Sequence, residues 1–313
     1  MNVATFYRFV PIDDPESVAV HLRALTSELE LYGTILLAHE GINATVTGAA
    51  PAVQTFFARL QQDVRFADMP LRYSRGDPGN PIFYRMKVRV RRELIAMYCD
   101  QVDPAVRTGV HVDAAAWNRL LDDPEITVID ARNRYEIALG TFPGALDPDT
   151  RSFREFPRFA QQLDPRQHSR VAMFCTGGIR CEKASAYLLE LGFAEVYQLD
   201  GGVLNYLATV GADNRYDGEC FVFDQRVTVS DDLEQGVYAS CHACRRALTQ
   251  ADTTSPDYVV DVSCAYCVGE QTATQRAAFA ERARQSLLAA ARGERHVGAV
   301  MRGAINEALL EQG

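Results

Sequence analysis

The sequence predicts a mixed α/β chain of three consecutive parts. The first part shows apolar patterns in the order β-α-β-β-α-β, and the second alternates strand and helix patterns, as parallel sheets covered by helices do. The third carries two Cys-x2-Cys pairs. We place the parts at residues 1–97, 110–213 and 214–313. A chain of 313 residues is long enough for two or three separate hydrophobic cores.

The first part begins with a strand pattern at residues 3–10. Asp14 and Pro15 then mark the start of a helix, and we expect Gly33 to end it. The strand-like segments and the second helix follow in order: strands at 34–38 and 44–47, a helix from about residue 51, and strands at 71–74 and within 83–95. This order predicts a ferredoxin-like (split βαβ) sandwich.

Positive charge is concentrated in residues 72–92, although the whole chain has a net charge of −9. If residues 85–91 form a strand, alternation places four basic side chains on one face. They are Arg85, Lys87, Arg89 and Arg91. A solvated surface strand would explain this pattern. A bound polyanion such as RNA would explain it equally well, because four like charges on one face repel each other.

The second part contains Cys175, which lies between a buried-strand pattern at 171–174 and a helix pattern. Backbone N–H groups lack intrahelical partners at a helix start, and Gly177 and Gly178 let the loop curl so that these groups point at the sulfur. Together with Arg180 they should lower the thiol pKa. A lone cysteine is usually a small buried apolar residue. The coincidence of these features instead indicates a nucleophile in an anion-binding loop.

The residues around Cys175 resemble the rhodanese family. Its domains place a catalytic cysteine first in a six-residue loop, with glycine fourth and arginine sixth, as in Cys175, Gly178 and Arg180. Further matches are Asp130-Ala131-Arg132, Tyr135-Glu136, Gly140, Pro143-Gly144-Ala145 and residues 196–202, with Thr141 in place of the usual histidine. The resemblance implies a rhodanese-like parallel-sheet domain with catalytic Cys175 and Arg180. The remaining active-loop residues are Thr176, Gly177, Gly178, Ile179 and Cys181.

The match is closer still to the rhodanese-like tRNA uridine hydroxylases. Their signature is residues 175–185, and residues 39–43, 221–224 and 241–244 support it. This resemblance, which extends to about Cys267, implies an oxidoreductase that hydroxylates C5 of the wobble uridine of tRNA, in the anticodon region. It also implies molecular oxygen as co-substrate. No organic cofactor motif is evident, so we expect a thiolate to activate the base.

Two other functions fit the same loop. In a sulfurtransferase, Cys175 would carry a persulfide, which the same loop would stabilise. In a binding module, the rhodanese fold would be inert, but the retained Cys175 and Arg180 argue against this. Cys181 lies at the helix start, where we expect the thiolate to be favoured. It is either a packing residue or a thiol that resolves an oxidised Cys175.

The third part has zinc-ribbon-like spacing. Cys241, Cys244, Cys264 and Cys267 can supply four thiolates to one tetrahedral Zn²⁺ ion, so we expect a structural zinc site. Four free thiols or two disulfides are the alternatives. An Ala/Arg/Glu-rich helix should follow, from Thr272 to about Arg292.

Composition also bears on location and partners. The 47% hydrophobic and 23% charged residues are typical of a globular protein, and the sequence shows no signal peptide or long apolar run. Cysteines in Cys-x2-Cys pairs point to the reducing cytoplasm. We therefore expect no membrane partner, and the resemblance to the hydroxylases implies tRNA, and not DNA, as the partner.

Overall fold

The structure, a computed structural model, describes residues 2–75, 82–99 and 101–293. The chain divides into two compact units, Met1–Tyr238 and Ala239–Gly313. In the first unit the strands are β1 (Asn2–Phe9), β2 (Tyr32–Ala38), β3 (Gly41–Gly48), β4 (Arg72–Arg75), β5 (Met86–Val90), β6 (Val110–Val112), β7 (Thr127–Asp130), β8 (Gly140–Thr141), β9 (Arg170–Phe174), β10 (Glu195–Leu199), β11 (Asp217–Gly218), β12 (Cys220–Phe221) and β13 (Thr228–Val229). Its helices are α1 (Pro15–Glu28), α2 (Ala50–Leu60), α3 (Ala114–Leu121), α4 (Arg134–Ile137), α5 (Phe156–Ala160), α6 (Ile179–Glu190) and α7 (Gly202–Val210). The second unit contains β14 (Ala239–Ser240), β15 (Ala247–Leu248), α8 (Gln250–Thr253) and α9 (Ala273–Ala291).

The N-terminal sheet has the strand order β4-β1-β3-β2-β5. Strand β1 is antiparallel to β3 and β4, β2 is antiparallel to β3, and β5 is parallel to β2. One face packs on α1 and α2 in a core that includes Phe6, Ile35, Val46, Leu22 and Phe56. The ferredoxin-like prediction is therefore confirmed, and both helices lie on one face of the sheet.

The end of α1 differs from the sequence prediction. The helix begins as expected, because the Asp14 side chain accepts a hydrogen bond from the Ser17 N–H at 2.9 Å. However, it ends at Glu28, and Gly33 lies inside β2 with φ of +142°. A Cβ at Gly33 would lie 2.1 Å from the Thr45 carbonyl oxygen. This glycine is needed where two strands approach closely, and the prediction that it ends the helix is wrong.

The central sheet is parallel, in the order β6-β10-β9-β7. In β9, Val171 and Met173 belong to a core with α5 and α6, while Ala172 and Phe174 belong to a second core with α3 and α7. Such burial on both faces is typical of parallel sheets. The predicted parallel-sheet α/β domain is confirmed, and β9 ends at the Cys175 loop.

A buried ion pair anchors the segment after α7. Arg132 and Asp130 are both fully buried, with the guanidinium 2.5 Å from the carboxylate. Arg132 also donates hydrogen bonds to the Tyr216 hydroxyl (2.9 Å) and to the Gly140 carbonyl (2.6 Å). Strand β11 then pairs with β8. These contacts hold the chain beyond α7 against the central domain.

The second unit is built around its cysteines. Cys241, Cys264 and Cys267 are buried in a small cluster with Leu248. Helix α9 begins at a capping box between Thr272 and Gln275, as the sequence predicts. Among the helices of residues 2–75, 82–99 and 101–293, none is both long enough and apolar enough to span a membrane.

Candidate active site

Cys175 lies where β9 meets α6, as the sequence predicts. Its sulfur accepts a hydrogen bond from the Gly178 N–H at 3.1 Å. Gly178 precedes the helix with φ of +95°, a conformation that favours glycine. On the other side, a Cβ at Gly202 would lie 2.3 Å from the Cys175 carbonyl oxygen. Two glycine turns therefore enclose the loop and aim its N–H groups at the sulfur.

Cys175 is electrostatically suited to ionise. Burial alone would raise the pKa of this fully buried thiol. Hydrogen bonding from the Cys181 side chain, the Arg180 charge, and the N–H groups of both residues outweigh the burial and lower the pKa of Cys175 to about 6. A large part of this cysteine is therefore thiolate at neutral pH.

Arg180 is held in place by Glu136. Its two terminal nitrogens donate hydrogen bonds to the Glu136 carboxylate at 2.6 and 2.7 Å, and both side chains are buried. Burial would raise the pKa of Glu136, but the Arg180 charge lowers it on balance. Thr176 donates to the same carboxylate at 3.2 Å. The sequence showed Glu136 only as part of the rhodanese resemblance, and its role as the partner of Arg180 emerges from the structure.

Lys183 joins the N-terminal end of α6 to the N-terminal domain. Its ammonium group lies 2.8 Å from Glu40 and 2.7 Å from Glu93, and it donates to the Ile95 carbonyl at 3.0 Å. Glu40 belongs to the 39–43 segment noted in the sequence. This segment therefore reaches the active-loop helix directly.

Glu182 is the centre of a second network. Its carboxylate accepts hydrogen bonds from the Tyr7 hydroxyl (2.9 Å), Thr108 (2.9 Å) and Gln198 (3.0 Å), and it pairs with His111 at 2.9 Å. Tyr7 comes from β1 of the N-terminal sheet. Lys183 and Glu182 together thus fix that sheet against the Cys175 loop.

A cavity of about 430 Å³ lies between the N-terminal sheet and the loop. Most of its wall residues come from three regions that are distant in sequence. They contribute, among others, Thr5, Thr34, Leu36, Asn43 and Thr45 from the sheet, Cys175 to Gly177 with Ile179 and Arg180 from the loop, and Val222, Phe223, Asp224 and Arg226 from the segment after β12. Asn43 belongs to the 39–43 segment that the sequence singled out, and Val222, Phe223 and Asp224 belong to the 221–224 segment.

Cys181 differs sharply from Cys175. It is fully buried, and burial together with the hydrogen bond to Cys175 raises its pKa well above the usual value. The expectation that the helix start favours a Cys181 thiolate is therefore wrong. Burial and the neighbouring negative sulfur outweigh the helix field, so Cys181 is a neutral thiol that donates to Cys175.

The four basic residues all have exposed side chains on or beside β5. Lys87 and Arg89 lie within the strand, and Arg85 and Arg91 flank it. Lys87 lies opposite Thr34, and Arg89 lies opposite Leu36. Opposed residues point to the same face of a sheet, and Thr34 and Leu36 line the cavity. We call Arg85, Lys87, Arg89 and Arg91 the basic row. Lys87 and Arg89 of this row lie at the edge of the sheet, on the same face that lines the cavity.

In the second unit, the four predicted cysteines come together. Their sulfurs all lie within 4.8 Å of one another. The sulfur–sulfur distances are 3.9 Å for Cys241–Cys267, 3.7 Å for Cys244–Cys264 and 3.7 Å for Cys264–Cys267. His242 pairs with Asp261 instead of joining the cluster. The cluster could hold a metal ion.

Comparisons with known proteins agree with both folds of the first unit. The UPF0176 acylphosphatase like domain matches residues 1–94, and the rhodanese-like domain matches residues 113–209. The tRNA uridine(34) hydroxylase of Teredinibacter turnerae is 44% identical over 298 residues, 95% of this chain and 92% of that protein.

Two solved structures are also similar to the chain. A rhodanese-like domain from Anabaena sp. is 23% identical and covers 34% of this chain and 78% of its own, with a TM-score of 0.28. The human single-domain sulfurtransferase is 23% identical and covers 31% of this chain and 95% of its own, with a TM-score of 0.26.

Cys175 should titrate with a midpoint near pH 6 in the folded protein. Because the pKa is lowered, the thiolate should dominate above this pH and disappear as the pH falls through it. The difference in thiolate ultraviolet absorbance between the wild type and Cys175→Ala measures the midpoint. The double variant Arg180→Gln/Glu136→Gln removes both charges without leaving one buried alone, and it should raise the midpoint. A wild-type midpoint equal to that of free cysteine would contradict the assigned electrostatics.

Proposed function

The chain belongs to the tRNA uridine(34) hydroxylase family, and on this premise we propose that it hydroxylates C5 of the wobble uridine of tRNA to give 5-hydroxyuridine. Molecular oxygen is the co-substrate, and the tRNA presents its anticodon region to the enzyme in the cytoplasm. One observation carries the proposal. The Cys175 sulfur, with its lowered pKa, lines a cavity that the N-terminal sheet covers. We call this covering wall the cavity roof; it includes Thr5, Thr34, Leu36, Asn43 and Thr45.

Cys175 acts as the nucleophile that activates the base. Its thiolate adds to C6 of uracil, which forms an S–C6 bond and moves the C5=C6 electron pair through C5 onto O4 as an enolate. The enolate carbon C5 then reacts with O2. The O–O bond then breaks: one oxygen atom stays on C5 as the hydroxyl group and the other leaves as water, with two protons from solvent and two electrons from a small-molecule thiol, which is oxidised to a disulfide. Loss of the C5 proton breaks the S–C6 bond and restores the thiolate, which the Gly178 N–H and Arg180 stabilise.

The cavity suits a flat base. Its volume of about 430 Å³ lies within the usual range for small-molecule sites. Phe223 lines it with 63% of the residue exposed, so its ring is available for stacking on a base. A persulfide carrier needs only the loop. The roof over the loop therefore supports base modification rather than sulfur transfer.

Cys175→Ala and Cys175→Ser should abolish 5-hydroxyuridine formation and leave the fold intact, because glycines and hydrogen bonds set the loop geometry. Nucleoside mass spectrometry measures the product, both in a purified reaction and in tRNA from cells with and without the protein. Cys99→Ser, outside the cavity lining, serves as the control and should remain active. Substantial activity of purified Cys175→Ala would contradict covalent catalysis. Loss of a thiolated nucleoside from cells lacking the protein would instead favour sulfur transfer.

We also propose that the basic row Arg85, Lys87, Arg89 and Arg91 binds the tRNA backbone. The row lies on the cavity face of the sheet, so phosphates beside the bound uridine would run along it. Nucleic-acid affinity of this kind arises from charge neutralisation and counterion release. A local basic strip can provide it in a chain of net charge −9.

Charge reversal at Lys87 and Arg89 should weaken tRNA binding and reduce its salt dependence. Each lost phosphate contact should flatten the log–log slope by roughly 0.7 to 0.9. The matched control is Arg59→Glu/Arg166→Glu, which changes the net charge equally at two exposed side chains. Anisotropy titrations of an anticodon stem-loop over a range of salt concentrations measure both quantities. Equal effects of the two double variants would move the RNA site elsewhere.

For the second unit we propose a structural Zn²⁺ ion held by Cys241, Cys244, Cys264 and Cys267. A tetrahedral ion with Zn–S bonds of about 2.3 Å requires sulfur–sulfur distances of about 3.8 Å. Three of the six sulfur–sulfur distances, at 3.7 to 3.9 Å, fit this requirement, and all six are within 4.8 Å. The Gln271 side chain also donates to the Cys267 sulfur at 3.2 Å, a contact typical of a thiolate ligand. Such an ion would contribute folding free energy to this small unit.

Purified protein should contain about one zinc ion per chain. Cys264→Ser should lose the metal and make the second unit sensitive to proteolysis, because structural zinc is coupled to folding. Cys99→Ser removes a thiol outside the cluster and should retain the metal. Metal analysis by mass spectrometry provides the measurement. A metal-free native protein whose four thiols all react freely would overturn the site.

A further inference from the structure

One side chain in the cavity roof has hydrogen-bonding capacity that the protein does not use. Asn43 lies in β3 and lines the cavity. It is half-buried, and in the described part of the chain its amide has no side-chain hydrogen-bond partner. The other asparagine in the lining, Asn133, already donates to Glu136 at 3.1 Å. Asn43 therefore offers an unused donor and an unused acceptor to a ligand.

The register partners of Asn43 are already engaged or apolar. They are Tyr7 in β1 and Leu36 in β2. The Tyr7 hydroxyl donates to Glu182, and Thr5 bonds to Thr45 at 3.3 Å. A Cβ at Gly178 would lie 2.7 Å from the Tyr7 hydroxyl, so this row of the sheet lies against the Cys175 loop. Asn43 is thus the register partner of a residue that touches the Cys175 loop, and it lines the same cavity as Cys175.

We infer that Asn43 binds the Watson–Crick edge of the substrate uracil and donates a hydrogen bond to O4. This inference rests on the proposed function, which it deepens. A side-chain amide can accept from N3–H and donate to O4 of uracil at once, as amides do when they read a base edge. Asn43 is then the residue of the roof that orients C6 toward the Cys175 sulfur below.

The same contact assists the reaction. When the thiolate forms the S–C6 bond, the displaced electron pair places negative charge on O4. An N–H donor at O4 stabilises this enolate more than it stabilises the neutral base, and such a difference accelerates the step. Negative charge moves from the Cys175 sulfur to uracil O4 in this step. Arg180 would then stabilise the charge on the sulfur, and Asn43 would stabilise the charge on O4.

The test replaces the amide with a carboxylate of the same shape. Asn43→Asp keeps an acceptor for N3–H but loses the donor, so a carboxylate oxygen opposes uracil O4. Binding of anticodon stem-loops with uridine or an abasic residue at position 34 is measured in a Cys175→Ala background, so that contacts to the RNA backbone cancel in the ratio of the two affinities. The ratio of uridine to abasic affinity should fall about tenfold in Asn43→Asp. Gln54→Glu makes the same chemical change at an exposed residue of α2 and should leave the ratio unchanged.

Kinetics with active Cys175 provide a second readout. Asn43→Ala should lower kcat by about 100-fold or more on the uridine stem-loop, with a smaller change in binding. It also keeps the inference testable if Asn43→Asp fails to fold. An unchanged affinity ratio in folded Asn43→Asp, or wild-type kcat in Asn43→Ala, would overturn the inference. If the wild type makes no 5-hydroxyuridine but the affinity ratio shifts, the proposed reaction fails while base recognition by Asn43 stands.

Discussion

The first five residues of α6 include three buried charged side chains, and the rest of the site depends on pairing them. Arg180, Glu182 and Lys183 are each less than 8% exposed. A buried charge without a partner is strongly destabilising, by about 3–5 kcal/mol when one member of a pair is removed. Their partners come from distant segments: Arg180 pairs with α4, Lys183 pairs with the N-terminal domain, and Glu182 bonds both to β1 of that domain and to the start of the central domain. The charges beside the nucleophile therefore also assemble the domains around it.

This arrangement explains why a ferredoxin-like sheet is joined to a rhodanese fold. Helices α1 and α2 cover one face of the sheet, and within residues 2–75 and 82–99 no further α-helix covers the other face. Pairing Lys183 with Glu40 and Glu93 brings that second face over the Cys175 loop. A loop that would otherwise open to solvent becomes the floor of a cavity. Exclusion of water strengthens every electrostatic interaction within such a site, including the one between Arg180 and Cys175.

The parts of this site that could be predicted from the sequence are the local ones. The strand, the glycine loop and the helix start around Cys175 depend on residues that are neighbours in the chain, so their pattern is visible in one segment. The partners of the charges are distant: Glu136 lies 44 residues from Arg180, Glu93 lies 90 from Lys183, and Tyr7 lies 175 from Glu182. No periodicity links such residues. The position of Gly33 inside a strand is unpredictable for the same reason: a Cβ at this residue would clash with Thr45, which lies in another strand.

Cys175 and Cys181 show how burial and the field of a helix compete. Both are fully buried near the same helix start, yet the pKa of Cys175 falls to about 6 and that of Cys181 rises. Cys175 collects N–H donors and the Arg180 charge, whereas Cys181 lies beside the negative sulfur that results. Once one thiol of the pair ionises, the other is held neutral and becomes a hydrogen-bond donor to it. Two titrating groups whose pKa values are shifted in opposite directions commonly have different roles. Cys181 thus stabilises the Cys175 thiolate as a neutral hydrogen-bond donor, and it stays neutral because Cys175 is ionised.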